Sequence, residues 1–317
     1  ALRVVQGSGA LEKPLEHGVL TIGNFDGLHV GHRSIMGTVI ERARSVRGEA
    51  AVFTFEPHPR KLLYPDRAPR LLTTLEQKLE LLDEIGVDLV IVEPFTRDLA
   101  TLPAERFVRD VVFQRIAPVE VYVGYDFRDG KDRQGSMRTL TELGPHLGFA
   151  VTIIPEVTVG SRDVNSTRIR ELLGDGRVEE AGEMLARPYR IRGEVVEGDH
   201  RGATIGFPTI NLAPENEILP ARGVYAGRAR FLDEGDPARD SIHRVVTNVG
   251  RRPTFKQGDA IVAEAHLLDF DAQVYGRRVE LSFEHHLRAE QRFPGLDALK
   301  TQIGADVESA RKLLGNP

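Results

Sequence analysis

The fold of this 317-residue chain is constrained above all by one change of rhythm. Up to about residue 157, short apolar runs rich in β-branched residues alternate with stretches of helical period; beyond about residue 187 the helical stretches stop. The runs at 18–22, 50–55, 87–92, 119–124 and 151–154 are apolar without alternation, as in strands of a parallel sheet covered on both faces. Helices are expected between them at 34–46, 75–85, 103–116 and 139–147. In the first of these, Ile35, Val39, Ala43 and Val46 share one face. Pro103 suits the opening of another, where its missing N–H would have no helical partner. Strands and helices in this order, joined by right-handed crossovers, give a doubly wound α/β domain.

Two short helices follow at 166–173 and 178–186. After "RPYR" the period changes to strand-like runs, at 191–197, 223–231, 244–249, 261–270 and 278–283, separated by Gly, Pro and Asp turns. Short strands without intervening helices predict an antiparallel β-barrel or sandwich. A helix at 296–314 closes the chain, with Gly315 in the usual stop position. The expected domains are 1–186 and 187–317, each large enough for its own core.

Composition narrows the function classes. A net charge of −5 gives no global attraction for nucleic acid or anionic membrane, so an anion site must be built locally. The absence of cysteine removes disulfides, thiolate nucleophiles and cysteine-based metal sites, and points to a reducing cytoplasm. No apolar run approaches membrane-spanning length, and the N-terminal stretch lacks the apolar core of a signal peptide.

The first run leads into "TIGNFDGLHVGH", residues 21–32, between an expected strand and an expected helix. In a doubly wound sheet the turn after the first strand is the usual phosphate site. Glycines such as Gly23 and Gly31 let backbone approach an anion, and the following helix directs unpaired N–H groups towards it. His29 and His32 add imidazole donors for charge developing on a phosphoryl oxygen. The turn reads as a nucleoside triphosphate site, although it has neither the lysine of a Walker loop nor G-x-G-x-x-G.

This stretch resembles the first motif of the adenylyltransferase domain in bifunctional riboflavin kinase/FAD synthetases, within the larger H-x-G-H nucleotidyltransferases. "FEPHP" (55–59), "VGYDFRDGKDRQG" (123–135) and "NSTRIR" (165–170) are similar to further motifs of that family. The resemblance implies a Rossmann-like nucleotidyltransferase domain that transfers AMP from ATP to FMN, releasing pyrophosphate and forming FAD. Gly23, Asn24, Phe25, Gly31 and Asp126 would bind nucleotide, with His29 and His32 at the ATP phosphates. Ser166, Thr167 and Arg168 would join the nucleotide site, Ser166 and Thr167 capping the following helix while Arg168 grips the departing pyrophosphate, though simple helix capping is an equal reading of the motif. Asp126 has a turn or cap role as its rival. Two departures stand out: Asp129 replaces an aromatic, and Asn165 replaces the first of two serines.

In the second part, "GFPTIN" (206–211) resembles the riboflavin kinase motif, and "GVYAG", "TNVGRRPTF", "AEAHLLDFDAQVYG" and "LRAEQRF" extend the likeness to the end of the chain. In an extended segment Thr209 and Asn211 face one way, offering hard neutral oxygen ligands for Mg2+ beside ATP phosphates. Gly202 and Gly206 would let the adjoining loop close over nucleotide. The resemblance makes Glu264 the general base for the ribityl 5′-hydroxyl of riboflavin, and Arg288 is a candidate for flavin or phosphate contact. His285 and His286 face opposite sides of a strand, and His200, His243 and His266 are expected to be solvated or structural.

The expected enzyme phosphorylates riboflavin to FMN in its C-terminal barrel and adenylylates FMN to FAD in its N-terminal domain, with ATP and Mg2+ at both steps. Its partners are these small molecules, without nucleic acid or membrane, and the sequence leaves the oligomer open. The rival reading, motivated by Asp129, is a riboflavin kinase whose N-terminal domain has lost or altered adenylyltransferase activity.

Overall fold

The computed structural model describes residues 1–127, 133–198, 201–254 and 258–317; Asp129 and His200 lie outside them. The chain divides into two units, Ala1–Arg70 with Leu75–Asn165, and Leu71–Thr74 with Ser166–Pro317.

Six parallel strands organise the first unit: β1 (Arg3–Gln6), β2 (Val19–Ile22), β3 (Ala50–Glu56), β4 (Leu89–Pro94), β5 (Glu120–Gly124) and β6 (Ala150–Ile154), in the order β1-β4-β3-β2-β5-β6. Side chains alternate across the sheet, so each central strand feeds two cores. Leu20, Ile22, Ala51, Phe53, Leu89 and Ile91 enter one, with Phe107, Val111 and Leu140 from the covering helices. Val19, Ala50, Val52 and Val90 enter the other, against Ile35, Met36, Val39 and Ala43 of α1 (Val30–Ser45) and Leu81 and Leu82 of α2 (Leu75–Ile85). The sheet is therefore covered on both faces, as the unbroken apolar runs predict. The edge strand β1 escapes the sequence reading because "RVVQ" is short and mostly exposed; its register with β4, Arg3 opposite Leu89, reveals it. Where a plain helix is expected at 103–116, a short helix at Ala104–Arg106 passes into a π-helical stretch, Phe107–Ile116, ended by left-handed Ala117. Helix α3 (Arg133–Leu147) precedes β6.

Strand order reverses at β2. The chain runs outward through β3 and β4, then returns to lay β5 on the other side of β2. The crevice beyond the carboxyl ends of β2 and β5 is thus the switch point, where ligands bind in open α/β sheets.

The second unit holds α4 (Ser166–Gly174) and α5 (Val178–Leu185), whose Ile169, Leu172, Leu173, Ala181 and Met184 are buried, and the strands β7 (Tyr189–Val196), β8 (Ile210–Pro214), β9 (Gly223–Phe231), β10 (Ile242–Thr254), β11 (Gly258–Leu267), β12 (Arg278–Phe283) and β13 (His285–Arg288). Antiparallel pairing runs β10-β11-β8-β7-β12-β9, and β9 pairs back to β10. Six strands therefore close into a barrel, which decides between barrel and sandwich, and β13 adds to β9 outside the ring. The closing helix α6 (Leu296–Leu314) buries Val307, Ala310 and Leu314 against Val224, Ala226 and Val246 of the barrel. Val307 and Leu314 each contribute about 1.5–3 kcal/mol relative to exposure. Among the described residues no helix is long and apolar enough to cross a membrane.

Candidate active sites

The turn after β2 ends in a helix cap made by a histidine. His29 is extended and buried, and its Nδ1 accepts from the N–H groups of Gly31 (3.1 Å) and His32 (3.4 Å). Two of the helix's otherwise unpaired donors are thereby satisfied, so α1 starts at Val30, four residues ahead of the expected 34. An accepting Nδ1 places the proton of neutral His29 on Nε2, the opposite ring nitrogen, which becomes its donor. His32, one helical turn on, stacks on His29 with ring centroids 3.5 Å apart and planes 20° from parallel. Gly31 is required by this packing, because a Cβ there would stand 2.9 Å from Cε1 of His29. Phe25 meets His32 edge-on at 5.4 Å.

Of the other first-unit residues, Gly23 donates to the carbonyl of Phe53, and Asn24 keeps its carboxamide oxygen buried with no hydrogen bond among the described residues. Asp126 is exposed just beyond β5, across the switch point from the histidine turn. Its neighbour Tyr125 donates to Glu156 at 3.0 Å, and burial, reinforced by that bond, pushes its phenol up to about 12. Ser166, Thr167 and Arg168 open α4 in the second unit.

The second site is built by strand register. Asn211 on β8 lies directly opposite Glu264 on β11, and Glu264 opposite Asn248 on β10. Directly opposed residues project to the same face, so the three form one row across three strands. Glu264 and Asn248 line a cleft of about 640 Å³ with Thr209, Phe207 and Arg288. A second cleft of about 330 Å³ is lined by Ala203, Pro208, Phe270 and Tyr275, and Thr209 borders both. Both volumes lie in the range of small-molecule sites. Asn211 is 6% exposed, and Gly198 passes so near it that a Cβ would come within 1.8 Å of its amide nitrogen. Gly202 lines the larger cleft, and Gly206 holds a φ of +87°.

Arg288 is held by α6. Its Nε and Nη2 bond both carboxylate oxygens of buried Asp306 at 2.9–3.1 Å, and its guanidinium lies 5.5 Å from the Phe293 ring. Sequence reasoning missed Asn248 and Asp306. Asn248 stands inside the quoted "TNVGRRPTF", yet only the register of β10 on β11 discloses its place beside Glu264. His266, expected to be solvated or structural, lines the larger cleft with Nδ1 2.8 Å from the Pro208 carbonyl. Among the described residues no group of three His, Asp or Glu side chains is arranged to hold a metal. Thr209 and Asn211 instead offer neutral hard oxygens, which fit Mg2+ when phosphate and water complete its shell.

Comparison with known proteins finds two family models along the chain. Residues 11–168 match a family model described as FAD synthetase, and residues 185–314 one described as riboflavin kinase. A bifunctional riboflavin kinase/FMN adenylyltransferase of Escherichia coli K12 is 38% identical over 315 residues, covering 99% of this chain and 98% of the relative. One from Bacillus subtilis is 34% identical, covering 94% and 93%. A crystal structure described as a macrolide-efflux protein from Streptococcus pneumoniae is 27% identical, covers 98% of both chains and superposes with a TM-score of 0.82.

Proposed function

The chain belongs to the bifunctional riboflavin kinase/FMN adenylyltransferase family, and we propose that its two reactions are carried by the His29 turn of the first unit and the Glu264 row of the second. It phosphorylates riboflavin with ATP to FMN and adenylylates FMN with ATP to FAD. The rival reading, a kinase that has lost adenylylation, is disfavoured by relatives named for both activities along the full length of the chain.

In the kinase site Glu264 takes the proton of the ribityl 5′-hydroxyl as that oxygen attacks the γ-phosphorus of ATP and ADP departs. The flavin occupies the larger cleft, along Phe207 and Arg288, and the nucleotide the smaller one. Thr209, which borders both, and Asn211 would hold an Mg2+ ion, whose charge would offset that of the ATP phosphates. Gly202 and Gly206 shape the loop beside them. The observation that carries this reading is the register of Asn211, Glu264 and Asn248 in and beside the wall of a ligand-sized cleft.

In the first unit a phosphate oxygen of FMN attacks the α-phosphorus of ATP and pyrophosphate leaves. The attacking oxygen is already ionised, so the protein supplies placement and charge neutralisation rather than a base. Nε2 of His29 and the ring of His32 donate to the phosphoryl oxygens, aided by the N-terminal dipole of α1. Gly23, Asn24, Phe25 and Gly31 shape that cradle, and Asp126 contacts nucleotide or flavin across the switch point.

Incubation of the protein with riboflavin, ATP and Mg2+, followed by chromatography of the flavins, is expected to give FMN and then FAD. Chelation of the metal is expected to stop both. Phosphorylation that persists in chelator would overturn the metal role of Thr209 and Asn211.

A further inference from the structure

Directly beneath the histidine turn lies a buried cation that neither reaction has yet used. Lys78, on α2, is 8% exposed. Its Nζ donates to the backbone carbonyl of Asn24 at 2.9 Å and to Oγ1 of Thr54 on β3 at 3.2 Å. Asp26 and Glu56 are the carboxylates whose charges act on it. Desolvation outweighs both of them and holds the ammonium below the ordinary lysine value of 10.5. A buried ammonium gives up its hydration, so a methionine in this slot would serve packing better.

What the ammonium grips is a strained loop. Phe25 and Leu28, neither a glycine, hold φ of +53° and +40° between Asn24 and His29. Such residues persist only where their surroundings over-determine them, and they gather at functional sites. Lys78 fixes the carbonyl at the start of this strained run, and the His29 cap fixes its end. Between these two anchors the backbone has little freedom. The Asn24 carboxamide oxygen, buried without a hydrogen bond among the described residues, is carried on the same gripped residue.

We propose that Lys78 is a positioning residue for adenylyl transfer, its ammonium holding the Asn24 carbonyl so that the 24–32 turn presents Asn24, His29 and His32 in the geometry of the transition state. Being buried, it acts through the turn and does not touch substrate. This inference rests on the assignment of the histidine turn to adenylyl transfer.

The test uses the full chain with Lys78→Met, which keeps length and removes the charge, and Lys78→Gln, which restores an N–H donor. With FMN and ATP supplied, Lys78→Met is expected to lower kcat for FAD formation about 100-fold, the scale of a misplaced catalytic group, while KM for FMN and ATP stays within about threefold. Lys78→Gln is expected to regain part of that loss. Phosphorylation of riboflavin by the same samples is expected to be unchanged. A kcat within about twofold of wild type in Lys78→Met overturns the proposal, as does a loss that appears as raised KM alone. Should Lys78→Met fail to fold, Lys78→Gln is read by itself: lowered kcat at constant KM supports the proposal and wild-type kinetics overturn it. If the wild-type chain makes no FAD, the assignment of the turn itself fails; if wild type and variants make it equally, only the role of Lys78 does.

Discussion

The two sites are built on opposite plans. In the first unit the reacting groups lie within one turn of chain: His29 caps α1, His32 stacks on it three residues later, and Gly31 leaves room for the contact. In the second, Asn211, Asn248 and Glu264 come from three strands and meet only because the barrel sets their register. A site written in consecutive residues depends on a helix cap and a turn. A site written across strands depends on barrel closure, since a slip of one residue would turn Glu264 to the other face.

The sharpest break of that comparison is a reciprocal pair of variants. Glu264→Gln keeps the shape of the row and removes the base, so FMN formation is expected to fall about 10²–10⁴-fold while conversion of supplied FMN to FAD continues. His29→Asn retains a capping side chain and removes the imidazole, so FAD formation is expected to fall about 10²-fold with riboflavin phosphorylation intact. Separate rate measurements with riboflavin and with FMN read both, and a variant that lost the two activities together would show that the sites are not independent.

A smaller effect probes register directly. Gly198→Ala introduces a Cβ that would come within 1.8 Å of the Asn211 amide nitrogen, forcing that side chain out of the row. The expected result is about a tenfold loss of kinase rate, with a raised Mg2+ requirement and unchanged adenylylation. A Mg2+ titration of the kinase rate gives the answer.

The smallest effect concerns what holds the cap helix in place. Glu120 on β5 accepts from Arg42 of α1 at 3.0 and 3.1 Å. That hydrogen bond is the main reason its carboxyl is held below the ordinary 4.5, against an opposing contribution from burial. A depressed carboxylate contributes stability that is present above the unfolded value and lost as pH falls through the folded one. The stability difference between wild type and Glu120→Gln is therefore expected to be constant from pH 7 to 5 and to close below 4.5. Thermal unfolding across that pH range measures it.

Legibility followed the same division. The histidine turn could be read in advance because its parts are neighbours in the chain, although that reading started α1 at 34 and not at Val30, the cap being unseen. Glu264 was reached by resemblance to a family motif. Asn248 gave no local sign of its part, because nothing in "TN" says which strand it will face. Lys78 was equally silent: on an amphipathic helix a lysine reads as solvated, and only the fold shows its Nζ buried against Asn24 and Thr54.

By itself the sequence determined the class of each half, since unbroken apolar runs demand cover on both faces and alternating runs separated by turns demand antiparallel neighbours. It also determined the histidine turn, a product of backbone sterics and capping within a dozen residues. The tertiary structure decided closure of the barrel, the row across its strands, the switch point between β2 and β5, and the burial of Lys78. The physical reason is range: torsions and caps act over a few residues, whereas register and desolvation are set by groups far apart in the chain that meet only when it folds.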